Sequence, residues 1–93
     1  MHRGVLSLRA AANDLGSVRV GIICGKRVGG AVVRNRARRR LRAAVRLLLP
    51  NVPVAWDILL VIRPPGARAT MAEFFGALEE LLRRRRLAEA REE

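Results

Sequence analysis

Between Lys26 and Arg46 the chain carries nine cationic residues and no acidic one. Charged side chains are almost never fully buried without a partner, so this stretch has to lie at a surface whatever the rest of the fold does. It also carries a helical pattern from about Ala31 to Leu49, stopped by Pro50. At about 100° per residue, Ala37, Leu41, Ala44, Val45 and Leu48 fall on one side, with Val33 at its margin. Asn35, Arg36, Arg39, Arg42 and Arg46 cluster on the opposite side within roughly 120°, so the charge forms a stripe. Arg38 and Arg40 lie on the flanks, from which long side chains reach solvent. Arg34, in the first turn, projects nearer the apolar side and is expected to point into a cleft.

An Ala-rich underside needs a second layer, and the remaining sequence supplies strands. Val5, Leu6 and Leu8 suggest a first strand, Asn13-Asp14-Leu15-Gly16 supplies turn chemistry, and Val18, Val20, Ile22 and Ile23 suggest a second. That pair reads as a hairpin. Gly25, Gly29 and Gly30 make a permissive loop around Lys26 and Arg27. After Asn51-Val52-Pro53, the run Trp56 to Ile62 is aliphatic on both faces and reads as a buried central strand, closed by Pro64-Pro65-Gly66. Thr70 and Glu73 stand at capping-box spacing, opening a helix with an apolar stripe of Phe74, Phe75, Leu78, Leu81 and Leu82. Arg83 to Arg86 sit where the helix dipole favours cations.

The order β, β, α, β, α, with a helix between the second and third strands, suits a crossover joining parallel strands. The expected fold is α+β, a two-layer sandwich with a small sheet, in one domain over residues 1–93 with 87–93 as a frayed tail.

Composition narrows the function. With 51% hydrophobic residues the chain is too apolar for disorder, and its net charge of +11 calls for a polyanionic partner. Like charges three and four residues apart repel within a helix, and a bound polyanion relieves that repulsion. The candidate nucleic-acid-binding residues are Lys26, Arg27, Arg34, Asn35, Arg36, Arg38, Arg39, Arg40, Arg42 and Arg46. The start of the helix, approached through Gly29 and Gly30, is a candidate anion site. Trp56, Phe74 and Phe75 stand in apolar patterns and read as core rather than as stacking platforms.

One cysteine, Cys24, and one histidine, His2, leave no disulfide and no zinc ligand set, and Cys24 reads as a small buried hydrophobe. No catalytic residue and no protein-bound metal are expected. No apolar run is long enough to cross a bilayer and no signal peptide precedes the domain, so a cytoplasmic location is expected.

The run from Lys26 to Arg46, with its paired basic loop, its glycine, the Ala31-Val32 step and the Arg34-Asn35-Arg36 triplet, resembles the signature of the bacterial ribonuclease P protein. Arg19-Val20-Gly21 and Ile62-Arg63-Pro64 resemble further family features. The resemblance implies a left-handed βαβ crossover through the basic helix, contact of that helix with ribonuclease P RNA, and a cleft between helix and sheet that receives the 5′ leader of precursor tRNA. It implies a protein that assists endonucleolytic removal of that leader, with the chemistry carried by the RNA and by Mg²⁺ held mainly by RNA and substrate. No membrane and no obligate protein partner are implied. The chain departs from the family in beginning almost at the first strand, without the usual aromatic-bearing amino-terminal helix, and in having no tyrosine and no aromatic in that strand; the cleft is then expected to lack a wall. The rival reading is a non-enzymatic basic RNA-binding module such as a ribosomal protein. A membrane-surface helix is disfavoured because the sheet needs its apolar side, and a DNA reader because no helix-turn-helix spacing occurs.

Overall fold

The computed structural model describes residues 2–52 and 55–85. Its elements follow in the order β1 (His2–Arg3), β2 (Leu6–Ala12), β3 (Arg19–Cys24), α1 (Ala31–Leu48), β4 (Trp56–Ile62) and α2 (Met71–Arg84). Short 3₁₀ turns occupy Lys26–Val28, Leu49–Asn51 and Pro64–Arg68. The expected tail over 87–93, Arg86 and the turn residue Pro53 lie outside the described residues.

The sheet runs β1-β2-β4-β3. Strand β3 pairs with β4 in parallel, so α1 is the crossover that the element order implied. The expected hairpin between the first two long strands does not form: β4 lies between β2 and β3, antiparallel to β2. The physical reason lies in β4, whose Ile58, Leu60 and Ile62 are buried and whose backbone is paired on both edges. The chain from Asn13 to Val18 must then bridge two strand spacings, roughly 9.5 Å, rather than fold back in a tight turn. It arches over the start of β4, where the Asn13 amide donates to the Ala55 carbonyl (3.1 Å) and Leu15 N–H donates to Asn13 Oδ1 (2.9 Å). The turn residues are legible in the sequence; the distance they span is not. The two-residue β1, paired with β2 through Gly4 at φ +50°, likewise has no pattern of its own to mark it.

Both helices cover one face of the sheet. Leu6 and Leu8 of β2, Cys24 of β3 and Ile58, Leu60 and Ile62 of β4 pack with Ala37, Leu41, Ala44 and Leu48 of α1. Phe74, Ala77, Leu78, Leu81 and Leu82 of α2 complete this core. Phe74 is fully buried, whereas Trp56 and Phe75 are partly buried against the core, so all three act as packing groups. Because no helix among the described residues covers the other face, β4 is buried on alternate residues only: Asp57, Leu59 and Val61 stay half-exposed, which corrects the expectation of burial on both sides. The capping box forms as its spacing required, Glu73 N–H donating to Thr70 Oγ1 (3.1 Å) and Thr70 N–H donating to Glu73 Oε1 (2.8 Å).

Candidate nucleic-acid interface

The glycines ahead of α1 set its approach. Gly29 sits at φ +153°, and a Cβ there would come within 2.9 Å of Val33 Cγ1, so the chain can enter the helix at this angle only with glycine. Gly30 is the N-cap; no side chain caps the helix and no acid lies in its first turn, which leaves its amide donors unopposed by carboxylate.

On α1 the apolar wheel falls as its periodicity required: Ala37, Leu41, Ala44 and Leu48 are buried, and Val33 and Val45 pack at the margin. The underside is therefore fully engaged with the sheet and α2. Asn35, Arg39, Arg42 and Arg46 are exposed in one line, joined at the amino end by Val32, which is 78% exposed. Arg39, Arg42 and Arg46, with Lys26 and Arg27 on the preceding turn, are exposed and make no side-chain hydrogen bond or ion pair among the described residues.

Three of the four remaining arginines of the helix are tied to main-chain carbonyls. Arg36, placed on the stripe by the wheel, is half-buried on the flank, its Nη2 donating to the Ala67 carbonyl (3.5 Å). Arg40, one turn on, donates through Nη1 to the Ala69 carbonyl (2.9 Å). On the other flank Arg38 donates to the Cys24 carbonyl (3.3 Å) and to Asn35 Oδ1 (3.4 Å). Arg34 is half-buried near Cys24 at the end of β3, and both Arg34 Nε and Arg36 Nε are buried without a hydrogen-bond partner among the described residues. Burial pushes the Cys24 thiol above its ordinary value, while the charges of Arg38 and Arg34 oppose the shift; Cys24 is a core residue. The ten candidates thus divide into five free cations, three arginines tied to main-chain carbonyls, Arg34 at the β3 edge, and Asn35, which accepts from Arg38.

In the second basic cluster two of the three described arginines are paired with acids of their own helix and the third meets a main-chain carbonyl. Arg83 pairs with Glu79 (3.7 Å), Arg84 with Glu80 (3.5 Å), and Arg85 donates to the Ala10 carbonyl (3.4 Å). Tertiary structure instead adds cations that no local pattern marked: Arg68, exposed on the Pro64–Arg68 turn beside α1, and Arg9, which joins Arg19 on the uncovered face of the sheet.

That uncovered face holds a shallow depression of about 430 Å³, lined by Arg9, Ala11, Arg19, Gly21, Asp57 and Leu59 among others. Arg19 is held by Asp57, which leaves Arg9 as the exposed cation of the depression without a partner among the described residues. No aromatic residue lies on this face of β2, β3 or β4. No group of three or more His, Cys, Asp or Glu side chains that could hold a metal ion occurs among the described residues, and no helix among them is long and apolar enough to cross a membrane.

A family profile described as Ribonuclease P matches residues 1–86. The chain is 45% identical over 82 residues to the "Ribonuclease P protein component" of Roseiflexus castenholzii, covering 87% of this chain and 67% of that one. It is 43% identical over 84 residues to the protein of the same description from Ruegeria pomeroyi, covering 86% and 66%. Against a Roseiflexus sp. relative the match spans 52% of the relative's length. Among solved structures, the Staphylococcus aureus RNase P protein superposes with a TM-score of 0.83 at 24% identity, covering 95% of this chain and 81% of that one. The RNase P protein of Thermotoga maritima superposes at 0.79 and 23% identity, covering 90% and 80%. At those identities the structural likeness speaks for the fold.

Proposed function

Because the chain belongs to the ribonuclease P protein family, we propose that it is the protein subunit that assists a catalytic ribonuclease P RNA in removing the 5′ leader of precursor tRNA in the cytoplasm. The observation that carries this reading is the line of Arg39, Arg42 and Arg46 along the outer side of α1, partner-free among the described residues while the underside of the same helix is locked to the core.

The geometry suits a phosphate backbone. Successive cations of the line are separated by about 4.5 to 6 Å of helix rise, comparable with one to two nucleotide steps of about 3.4 Å along a strand. A helix fixed by its core contacts presents these charges without ordering them at the moment of binding. Lys26 and Arg27 extend the surface at the amino end, and the uncapped first turn adds amide donors.

Catalytic RNA and precursor tRNA are both polyanions, and a chain of net charge +11 between them lowers their repulsion and concentrates the substrate. The space between helix and sheet is filled by the core, so the leader lies, in this proposal, not in a cleft there but across the uncovered sheet face, with Arg9 on its phosphates and Leu59 and Ile23 against its sugars and bases. Mg²⁺ held by RNA and substrate would supply the activation of water that the cleavage needs. The carboxylates of the described residues do not gather into a site that fits the ion, so no step of the reaction is assigned to it on this protein.

Reconstitution tests the proposal. Added to bacterial ribonuclease P RNA at low Mg²⁺, the chain is expected to restore leader removal, and the Arg39→Glu, Arg42→Glu double variant to lose that effect. Tight RNA binding with no gain in processing would favour the non-enzymatic RNA-binding module instead.

A further inference from the structure

We infer that the Pro64–Arg68 turn is a second RNA-contacting element, held against α1 by Arg36 and Arg40, and that Arg68 on it takes a phosphate of the RNA lying along the helix. This rests on the reading of α1 as an RNA-binding helix and goes beyond the basic run that carries it.

Three observations place Arg68 in that role. The first is its attachment. Arg36 donates to the carbonyl of Ala67 and Arg40 to that of Ala69, the residues on either side of Arg68, so two arginines of the helix fix the backbone from which the third projects. The 2.9 Å bond from Arg40 is the firmer of the two. A carbonyl accepts a hydrogen bond without removing charge, so both guanidinium groups still add to the local field.

The second is rigidity. The Gly66 amide donates to the Arg63 carbonyl (2.7 Å) and the Ala69 amide to the Gly66 carbonyl (3.2 Å). Gly66 itself is buried where a Cβ would stand 2.6 Å from Ile62 Cγ2 and 3.3 Å from Phe74 Cζ, so the turn is pressed onto the core. A cation on such a turn is preorganised, unlike one on a loose loop.

The third is the absence of any other purpose for its charge. Arg68 is exposed and has no hydrogen-bond or ion-pair partner among the described residues. No acid occurs in the Lys26–Val28 turn, in α1 or in residues 64–69, and the nearest one along the chain, Glu73, is turned onto the Thr70 amide by the capping box. The Lys26–Val28 turn packs against the same segment, so Lys26, Arg27, Arg36, Arg40 and Arg68 converge on one end of the molecule. Uncompensated like charges brought together by the fold repel one another, and an RNA backbone is the partner that relieves them.

The test is equilibrium binding of the full chain to ribonuclease P RNA across a salt series, for the wild type, Arg68→Ala, Arg68→Lys and Arg39→Ala, with thermal unfolding of each. Arg68→Ala is expected to weaken binding by about threefold to tenfold and to lower the salt slope by about 0.7 to 0.9, the value of one phosphate contact. Its unfolding temperature should stay unchanged, and Arg68→Lys should keep most of the slope. Truncating Arg40 to Met should weaken binding less in the Arg68→Ala background than in the wild type, because the turn it holds then carries nothing. Wild-type affinity and slope in Arg68→Ala, with Arg39→Ala impaired, would overturn the inference and leave the α1 reading standing. Indifference of binding to Arg39→Ala as well would overturn both.

Discussion

Arg19 and Asp57 are register partners across the parallel β3–β4 pair, with Arg19 Nη2 2.6 Å from Asp57 Oδ2 and Arg19 Nε 2.8 Å from Asp57 Oδ1. Asp57 Oδ1 also accepts from Asn13 Nδ2 at 2.8 Å, so one carboxylate ties the edge strand to the bridge that passes over β4. The Arg19 hydrogen bond, then that of Asn13, holds the Asp57 carboxyl at about 2, below its ordinary 3.8. A folded-state value below the unfolded one means that the network contributes stability above about pH 4 and loses it as pH falls towards 2. A carbon-detected NMR titration should place Asp57 near 2 in the wild type and raise it in Arg19→Met, with the Asn13 bond still holding it below its ordinary value. An Asp57 that titrates normally in the wild type would falsify the bidentate pair.

Two glycines should respond to alanine in opposite directions. At Gly66 the added methyl meets Ile62 and Phe74, and the overpacking should destabilise by about 1 to 3 kcal/mol. Gly76 lies inside α2 with nothing within 4 Å of where a Cβ would stand, and Gly76→Ala should stabilise by about 0.5 to 1 kcal/mol through helix propensity alone. Urea unfolding of the two variants measures both signs.

Phe74 anchors α2 to the sheet and is fully buried. Phe74→Ala should cost about 3 to 5 kcal/mol, a large fraction of the roughly 5 to 15 kcal/mol that holds a domain folded. A loss under about 1 kcal/mol in chemical unfolding would mean that the helix is not packed as described.

Arg39 and Arg42 belong to binding and not to folding. Arg39→Ala, Arg42→Ala should reduce the slope of log affinity against log salt by about 1.4 to 1.8 and leave the unfolding midpoint in place, since neither side chain has a partner among the described residues. A shifted midpoint with an unchanged slope would assign them to stability instead.

Arg9 separates the two faces of the molecule. Arg9→Ala should lower the preference for precursor tRNA over leaderless tRNA while leaving affinity for ribonuclease P RNA alone, because Arg9 lies across the sheet from α1. Equal loss for both tRNAs would place the leader elsewhere.

What the amino-acid order alone determined is local: the period of α1, the capping box at Thr70, the β-branched run of β4 and the lack of acid from Lys26 to Arg46 each depend on residues within a few positions of one another. Such patterns say which side of a helix is wet and where it begins. The neighbour of each strand was decided only in three dimensions, since β4 comes between β2 and β3 from more than thirty residues away; the burial available on β4 outweighed a nearby turn. The same holds within the basic helix, where a wheel placed Arg36 on the stripe and could not see the Ala67 carbonyl that draws it to the flank. Arg68, one cation among many in the sequence, acquires its place beside the helix because packing of Gly66 and the hydrogen bonds of Arg36 and Arg40 bring distant segments together. Periodicity is a property of one element, whereas partners are chosen by the surface that several elements bury at once.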